Sequence, residues 1–122
     1  MTQKQATGEK FITLVDVMKR LRATDGCPWD REQDYLSLRR YIIEEAYELI
    51  EAIENSNRDN ICEECGDLLL QVVFVSEIAE ELGEFDIANV MDHLTEKLIR
   101  RHPHVFGDTH VNGSDDVLKN WE

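Results

Sequence analysis

The sequence predicts an all-α protein, an antiparallel helical bundle of four main helices plus a short C-terminal helix. Apolar residues recur at three- and four-residue spacing in long segments, and the strict alternation typical of β-strands is absent. Glycine, proline or clustered polar residues separate these segments. With 122 residues, 42% of them hydrophobic, the chain is long enough for one domain with its own core. We therefore expect residues 1–122 to form a single domain.

The first two main helices follow from hydrophobic periodicity and from the break between them. The first is expected over residues 8–23, and Gly26 and Pro28 interrupt the helical pattern after it. The second is expected over residues 36–54. Its apolar stripe predicts that four aliphatic side chains are buried, namely Leu38, Ile42, Leu49 and Ile53.

The second half of the chain predicts three more helices. The third is expected over residues 59–82, with Gly83 just past its C-terminal end. Its apolar residues cover much of its girth, which predicts either a central position or cover by a second subunit. Asp86 is expected to cap a fourth helix, which Pro103 ends. Residues 114–116 predict the start of the short last helix.

Composition restricts the partners and the location of the protein. A net charge of −13 disfavours nucleic acid as a partner. No run approaches the ~18 apolar residues of a membrane span, and the N-terminus lacks the apolar core of a signal peptide, so we expect a cytoplasmic protein without membrane contact. Three cysteines argue against a disulfide framework. Cys62 and Cys65 form a C-x-x-C without further ligands nearby, and we interpret them as partly buried packing residues.

Two pairs of carboxylates have the spacing of a metal site. Glu45 and Glu48, and likewise Glu64 and Asp67, are three residues apart, which places each pair on one helix face. Glu45 and Asp67 are equally far in sequence from Ser56, and so are Glu48 and Glu64. Ser56 lies in a polar turn, so an antiparallel hairpin would bring all four carboxylates to one level. Four such charges repel strongly unless a cation lies among them. Carboxylate ligands favour Mg²⁺, with Mn²⁺ as the alternative ion. The competing interpretation is a solvated acidic face, since the chain has 26 Asp and Glu residues.

A cationic group near the end of the fourth helix is the second candidate site. Lys97, Arg100 and Arg101 share one helix face, and such side chains commonly bind phosphate oxygens beside Mg²⁺. The alternative is that they complement the helix dipole. Trp29 and Trp121 lie outside the long helices, where each either stacks on a nucleobase or closes an end of the bundle.

These segments resemble the MazG nucleotide pyrophosphohydrolases of the all-α NTP pyrophosphatase group. The resemblance is carried by Cys-Pro-Trp-Asp at 27–30, Glu-Glu-Ala-Tyr-Glu at 44–48, Gly-Asp-Leu-Leu-Leu-Gln-Val-Val-Phe at 66–74, and the segment from Lys97 to Asp108. It implies a dimerising helical bundle that hydrolyses nucleoside triphosphates to the monophosphate and pyrophosphate with Mg²⁺, as house-cleaning of the nucleotide pool.

The resemblance and the metal chemistry together suggest roles for individual residues. Glu45, Glu48, Glu64 and Asp67 would hold Mg²⁺. Catalysis would involve Glu45 and its neighbour Glu44, the latter either a general base or an ordinary surface glutamate. Substrate binding would fall to four residues of the C-terminal part, namely Lys97, Arg100, Arg101 and Trp121.

Several readings of the function remain open from the sequence. A narrower dUTP or dCTP pyrophosphatase would use the same metal site, and a catalytically quiet, dimerising regulatory domain would also keep the fold. Many MazG proteins carry two such domains in tandem, so the chain is either a complete short member or an N-terminal fragment. The apolar girth of the third helix predicts a homodimer.

Overall fold

The computed structural model describes residues 1–121, and the regular elements in that range are helices. In chain order they are α1 (Gln3–Leu21), α2 (Pro28–Glu32), α3 (Tyr35–Glu54), α4 (Arg58–Glu81), α5 (Ile87–Arg101), α6 (Pro103–Phe106) and α7 (Ser114–Asn120). The predicted all-α class is confirmed. None of the helices in this range is long and apolar enough to cross a bilayer. The chain divides into two compact units, Met1–Phe85 and Asp86–Glu122.

Two short helices, α2 and α6, were not predicted. Each begins with a proline at its first position, Pro28 and Pro103. Proline ends a helix when it falls in the interior, but it suits the first turn because its fixed φ is helical and no N–H is needed there. From the sequence, both prolines were expected only to interrupt helices. The helix α1 also begins earlier than expected, because Thr2 and Gln5 form a capping box at its start.

A three-residue turn connects α3 to α4 and makes them an antiparallel hairpin. Ser56 occupies the left-handed region with φ of 53°, the position that commonly follows a helix C-cap. Asn57 caps α4, since its side-chain oxygen accepts a hydrogen bond from the Asn60 N–H at 3.2 Å. These two residues end one helix and begin the next, so the turn lies where the polar segment predicted it.

The first unit has one hydrophobic core where α1 packs against the C-terminal half of α4. Its buried members are Met18, Leu38, Val73, Phe74 and Ile78. Ion pairs border this core. The Lys19 ammonium lies 3.0 Å from the Glu77 carboxylate and also contacts Glu80. Burial raises the pKa of Glu77, and the hydrogen bond from Lys19 opposes that shift.

The burial predicted for the second main helix, now α3, is partly wrong. Leu38 is buried, but Ile42 and Ile53 are 36% and 55% exposed. Ala52, one heptad after Glu45, is buried instead. The face of α3 that contacts α4 therefore carries carboxylates and alanine, while part of its aliphatic stripe lies at the exposed edge.

The second unit contains α5, α6 and α7. Asp86 caps α5 as predicted, accepting a hydrogen bond from the Asn89 N–H at 2.9 Å. The apolar stripe of α5 is largely exposed, with Met91, Leu94 and Leu98 between 38% and 53% exposed. Glycine at 113 has φ of 144° and precedes α7, where a side chain would strain the backbone.

Candidate metal and nucleotide site

The α3–α4 hairpin brings together the four carboxylates that the sequence singled out. Glu45 and Glu48 from α3 and Glu64 and Asp67 from α4 each offer one oxygen, and these oxygens all lie within 4.8 Å of one another. The antiparallel register about Ser56 produces this grouping, because it places the two i, i+3 pairs at the same level of the hairpin. The geometry is that of a set able to hold a metal ion.

Electrostatics within this cluster favour a bound cation. One oxygen each of Glu45 and Glu64, Oε2 in both, is buried and has no hydrogen-bond partner among the described residues. Burial raises the pKa of Glu45, and the carboxylates of Glu48 and Asp67 raise it further. Burial and the same two neighbours raise the pKa of Glu64 to about 7. Orphaned, closely spaced carboxylate oxygens are the ligands that a hard divalent cation prefers, so the residues fit Mg²⁺.

Glu44 lies outside the group of four. Its side chain is half exposed, and its carboxylate is 3.7 Å from the Arg40 guanidinium one turn earlier on α3. It is still close enough for its charge to raise the pKa of Glu45. The proposed role of Glu44 as general base stays a prediction.

The two cysteines of the C-x-x-C do not take the partly buried positions expected for them. Cys62 and Cys65 are exposed, and only Cys27 is intermediate in burial. On a helical projection the first two lie on the side of α4 away from Glu64 and Asp67. They are therefore not part of the carboxylate cluster.

An aromatic group lies beside the carboxylate cluster in the same unit. Trp29 packs edge-on against Tyr41 and Phe74, with ring centroids 5.7 and 6.5 Å apart. Tyr41 precedes Glu45 by four residues on α3, which is about 6 Å along the helix axis. The indole remains 47% exposed. Trp29 is thus an exposed aromatic surface that packs against Tyr41, the residue one helical turn before Glu45 on α3.

Arg22 fixes the short helix that carries Trp29. Its side chain is 9% exposed and forms an ion pair with Glu81 at 2.6 Å. One terminal nitrogen also donates to the carbonyl oxygens of Asp30 and Gln33, at 2.5 and 3.1 Å. The guanidinium carbon lies 5.7 Å from the centre of the Phe74 ring, a cation–π contact. These contacts connect the end of α1, the α2 segment and α4, a role of Arg22 that was not predicted from the sequence.

Gln71 is the residue near the cluster that sequence reasoning missed. It is 7% exposed, and its Oε1 is buried without a hydrogen-bond partner among the described residues. It follows Asp67 by four residues and Glu64 by seven, so all three share one face of α4. A glutamine within an otherwise apolar run was a signal that could have been read from the sequence.

The four substrate-binding candidates all lie in the second unit. Lys97 and Arg100 are exposed on α5. Arg101 is intermediate in burial, and its guanidinium carbon lies 5.3 Å from the centre of the Trp121 ring. The rings of His102 and Trp121 are also 5.3 Å apart, edge to face. Trp121 is therefore held by cationic and aromatic neighbours, while Lys97 and Arg100 stay accessible.

Comparison of the sequence with known protein families finds one matching family. A sequence model of the MazG nucleotide pyrophosphohydrolase domain covers residues 33–106, more than half of the chain and the whole carboxylate set. The chain belongs to the MazG family. Of the segments on which the resemblance was based, 44–48 and 66–74 fall within the matched region. The segment 97–108 extends two residues beyond it, and 27–30 precedes it.

Curated relatives place this MazG chain among longer bacterial proteins. It is 58% identical over 102 residues to the nucleoside triphosphate pyrophosphohydrolase/pyrophosphatase MazG of Thermotoga maritima, covering 84% of this chain and 40% of that protein. It is 44% identical over 110 residues to the nucleoside triphosphate pyrophosphohydrolase of Escherichia coli K12, covering 89% of this chain and 42% of that protein. It is 48% identical over 113 residues to the uncharacterized protein YabN of Bacillus subtilis, covering 93% of this chain and 23% of that protein. The chain thus spans less than half the length of each of these relatives.

Proposed function

We propose that this MazG chain hydrolyses nucleoside triphosphates with one water molecule to the nucleoside monophosphate and pyrophosphate, in a Mg²⁺-dependent reaction. The observation that carries the proposal is the group of four carboxylates within 4.8 Å on the α3–α4 hairpin. The names of the Thermotoga and Escherichia relatives support the substrate class. The biological role we propose is house-cleaning of the cytoplasmic nucleotide pool.

In this proposal the hairpin provides the reaction centre. Glu45, Glu48, Glu64 and Asp67 hold the Mg²⁺. When bound, the ion would neutralise phosphate charge and lower the pKa of a water. Glu44, one residue before a ligand and rotated about 100° from it, accepts a proton from the attacking water. Its half-exposed carboxylate, 3.7 Å from the Arg40 guanidinium, is accessible for that role.

Substrate contacts in the proposal come from cationic and aromatic side chains. Lys97, Arg100 and Arg101 donate hydrogen bonds to phosphate oxygens. The indole of Trp121 contacts the nucleotide as a stacking surface. Trp29 offers a second such surface, supported by its 47% exposure and by its contact with Tyr41, which precedes Glu45 by four residues on α3.

The function is tested by measuring pyrophosphate release from a panel of ribo- and deoxynucleoside triphosphates, with Mg²⁺ and with excess EDTA. We expect release with several bases and none in EDTA. Release from dUTP or dCTP alone would replace the broad specificity with the narrower pyrophosphatase. Absence of pyrophosphate from every nucleotide at saturating Mg²⁺ would refute enzymatic activity and leave a regulatory domain.

Arg100→Ala should lower kcat/KM by about ten- to a hundredfold, because a hydrogen bond to a charged group is worth about 1.5–3 kcal/mol. The loss should be similar for all four bases, since phosphate is common to them. The matched control is Arg20→Ala, which removes an exposed arginine paired with Asp25 at 3.1 Å and should leave the kinetics unchanged. A loss confined to one base would assign Arg100 to base recognition instead.

We also propose that the chain forms a homodimer through the middle of α4. Val73, Phe74, Ile78 and Ala79 are buried within the first unit, but Leu69, Leu70 and Val72 remain 37–43% exposed. Apolar area left in water costs roughly 25 cal/mol per Å². A two-fold axis would bury the same patch on both subunits.

Light scattering at low micromolar concentration should give a mass near twice the 14.2 kDa of the chain. Val72→Lys should shift the mass toward the monomer, because it places a charge in the proposed interface. Val17→Lys, which replaces a 51% exposed valine on α1, serves as control and should leave the dimer intact. A wild-type particle near 14.2 kDa would exclude the dimer.

A further inference from the structure

We infer that Gln71 is a specificity-determining residue whose side-chain oxygen accepts a hydrogen bond from a sugar hydroxyl of the bound nucleotide. This inference deepens the proposed function and rests on it. It concerns a buried amide that neither the metal chemistry nor the phosphate contacts employ.

The state of the Gln71 side chain is the first observation behind the inference. The residue is 7% exposed, and its Oε1 has no hydrogen-bond partner among the described residues. A buried acceptor without a partner is unfavourable, and most buried polar groups are satisfied. By contrast, the buried Ser76 on the same helix donates to the Val72 carbonyl at 2.8 Å. The Gln71 oxygen is therefore a buried acceptor to which a bound ligand could donate a hydrogen bond.

The position of Gln71 indicates which part of a nucleotide would supply that donor. Asp67 lies one helical turn before it on the same face of α4, about 6 Å along the axis. On the other side, Phe74 follows by three residues and contacts Trp29 edge-on. The hairpin register about Ser56 places Tyr41 opposite Gln71. Gln71 thus lies between the carboxylates that would hold the phosphate end and the aromatic surface.

The chemistry of the amide oxygen selects among the groups of the substrate. It can only accept a hydrogen bond, so a partner must donate. Phosphate oxygens bound to metal donate nothing, and the nearby carboxylates are acceptors when ionised. The 2′ and 3′ hydroxyls of the sugar are donors located between the phosphates and the base. A sugar hydroxyl is therefore the group that complements Gln71.

The test compares wild type and Gln71→Met on one base with ribo, 2′-deoxy and 2′,3′-dideoxy sugars, measuring kcat and KM for pyrophosphate release. Methionine keeps the length of the side chain and removes the acceptor. We expect KM for the ribonucleotide to rise about three- to tenfold, the value of one neutral hydrogen bond, with kcat little changed. The effect should disappear with the dideoxynucleotide. If the rise in KM persists with the 2′-deoxynucleotide, the contact is to the 3′ hydroxyl. If the rise is lost with that nucleotide, the contact is to the 2′ hydroxyl.

Stability provides an independent readout. Because Gln71→Met removes an unsatisfied buried acceptor, the melting temperature of the metal-free protein should hold or rise. Ser76→Ala, which removes a satisfied buried hydroxyl from the same helix, is the control and should not change the sugar dependence. A KM effect equal for all three sugars, no KM effect at all, or a marked fall in melting temperature would each overturn the inference. Lack of turnover by the wild type would instead refute the proposed function, and equilibrium binding of the three nucleotides with Mg²⁺ would still test Gln71.

Discussion

Replacing Glu48 with glutamine, or Asp67 with asparagine, is expected to abolish Mg²⁺-dependent pyrophosphate release while the protein stays helical. Loss of even a residue that supports a metal ligand commonly costs ten- to a hundredfold, so removal of a ligand should cost about a hundredfold or more. Both substitutions keep the shape of the side chain and remove one negative charge from the cluster of four. The readouts are pyrophosphate release and far-UV circular dichroism.

The same substitutions should have the opposite effect on the metal-free protein. Neighbouring carboxylates raise the pKa values of Glu45 and Glu64, which reflects repulsion in the folded state. Removing a charge relieves that repulsion, so the melting temperature in EDTA should hold or rise. Glu63→Gln is the matched control, because it removes an exposed charge from the same turn of α4, outside the cluster, and should keep full activity. Full activity in either ligand variant would refute the metal site.

Mg²⁺ should stabilise the protein strongly at pH 8 and hardly at pH 5. Glu64 has a folded-state pKa of about 7, above the ordinary value of 4.5, so the folded state binds the proton more tightly than the unfolded state. Its contribution to stability is full below pH 4.5 and is lost as the pH rises through 7. The melting temperature of the metal-free protein should therefore fall between pH 5 and pH 8.

A divalent cation competes with these protons, so its effect should grow over the same range. At about 100 times its Kd a ligand adds about 2.7 kcal/mol, or roughly 10 °C in a domain of this size. Differential scanning fluorimetry with MgCl₂ or EDTA at each pH measures both effects. Glu64→Gln removes the titrating group, and its metal-free profile should flatten between pH 5 and pH 8. Equal stabilisation by Mg²⁺ at both pH values would contradict the assigned protonation.

The carboxylate cluster could be predicted because its determinants are local in sequence. Helix periodicity fixes which residues share a face, and the polar turn fixes where the chain reverses. Together they set the register of the hairpin, and α3 and α4 begin and end within about one residue of the expected positions. No long-range information was needed to bring Glu45 and Asp67 together.

What the sequence did not reveal depends on contacts between distant segments or on competition between faces. The predicted burial of Ile42 and Ile53 was wrong because the inner face of α3 also carries carboxylates, which hydrophobic periodicity does not take into account. The role of Arg22 in holding the α2 segment comes from contacts with Glu81, 59 residues away. Gln71 was overlooked although it interrupts an apolar run, because helix periodicity does not show that its oxygen is buried without a partner among the described residues.

The length of the turn from Asn55 to Asn57 sets the register of α4 against α3, and with it the relative positions of the carboxylates. Surface loops ordinarily tolerate insertions, since lengthening them costs little closure entropy. Here one added or deleted residue would shift the pairing of α4 against α3, and restoring the level of the ligands would need a rotation of about 100° per residue. The left-handed conformation of Ser56 and the capping hydrogen bond of Asn57 constrain two of the three turn residues, so the turn cannot adjust to such a change. A connection that looks dispensable is therefore as constrained in length as the ligands are in identity.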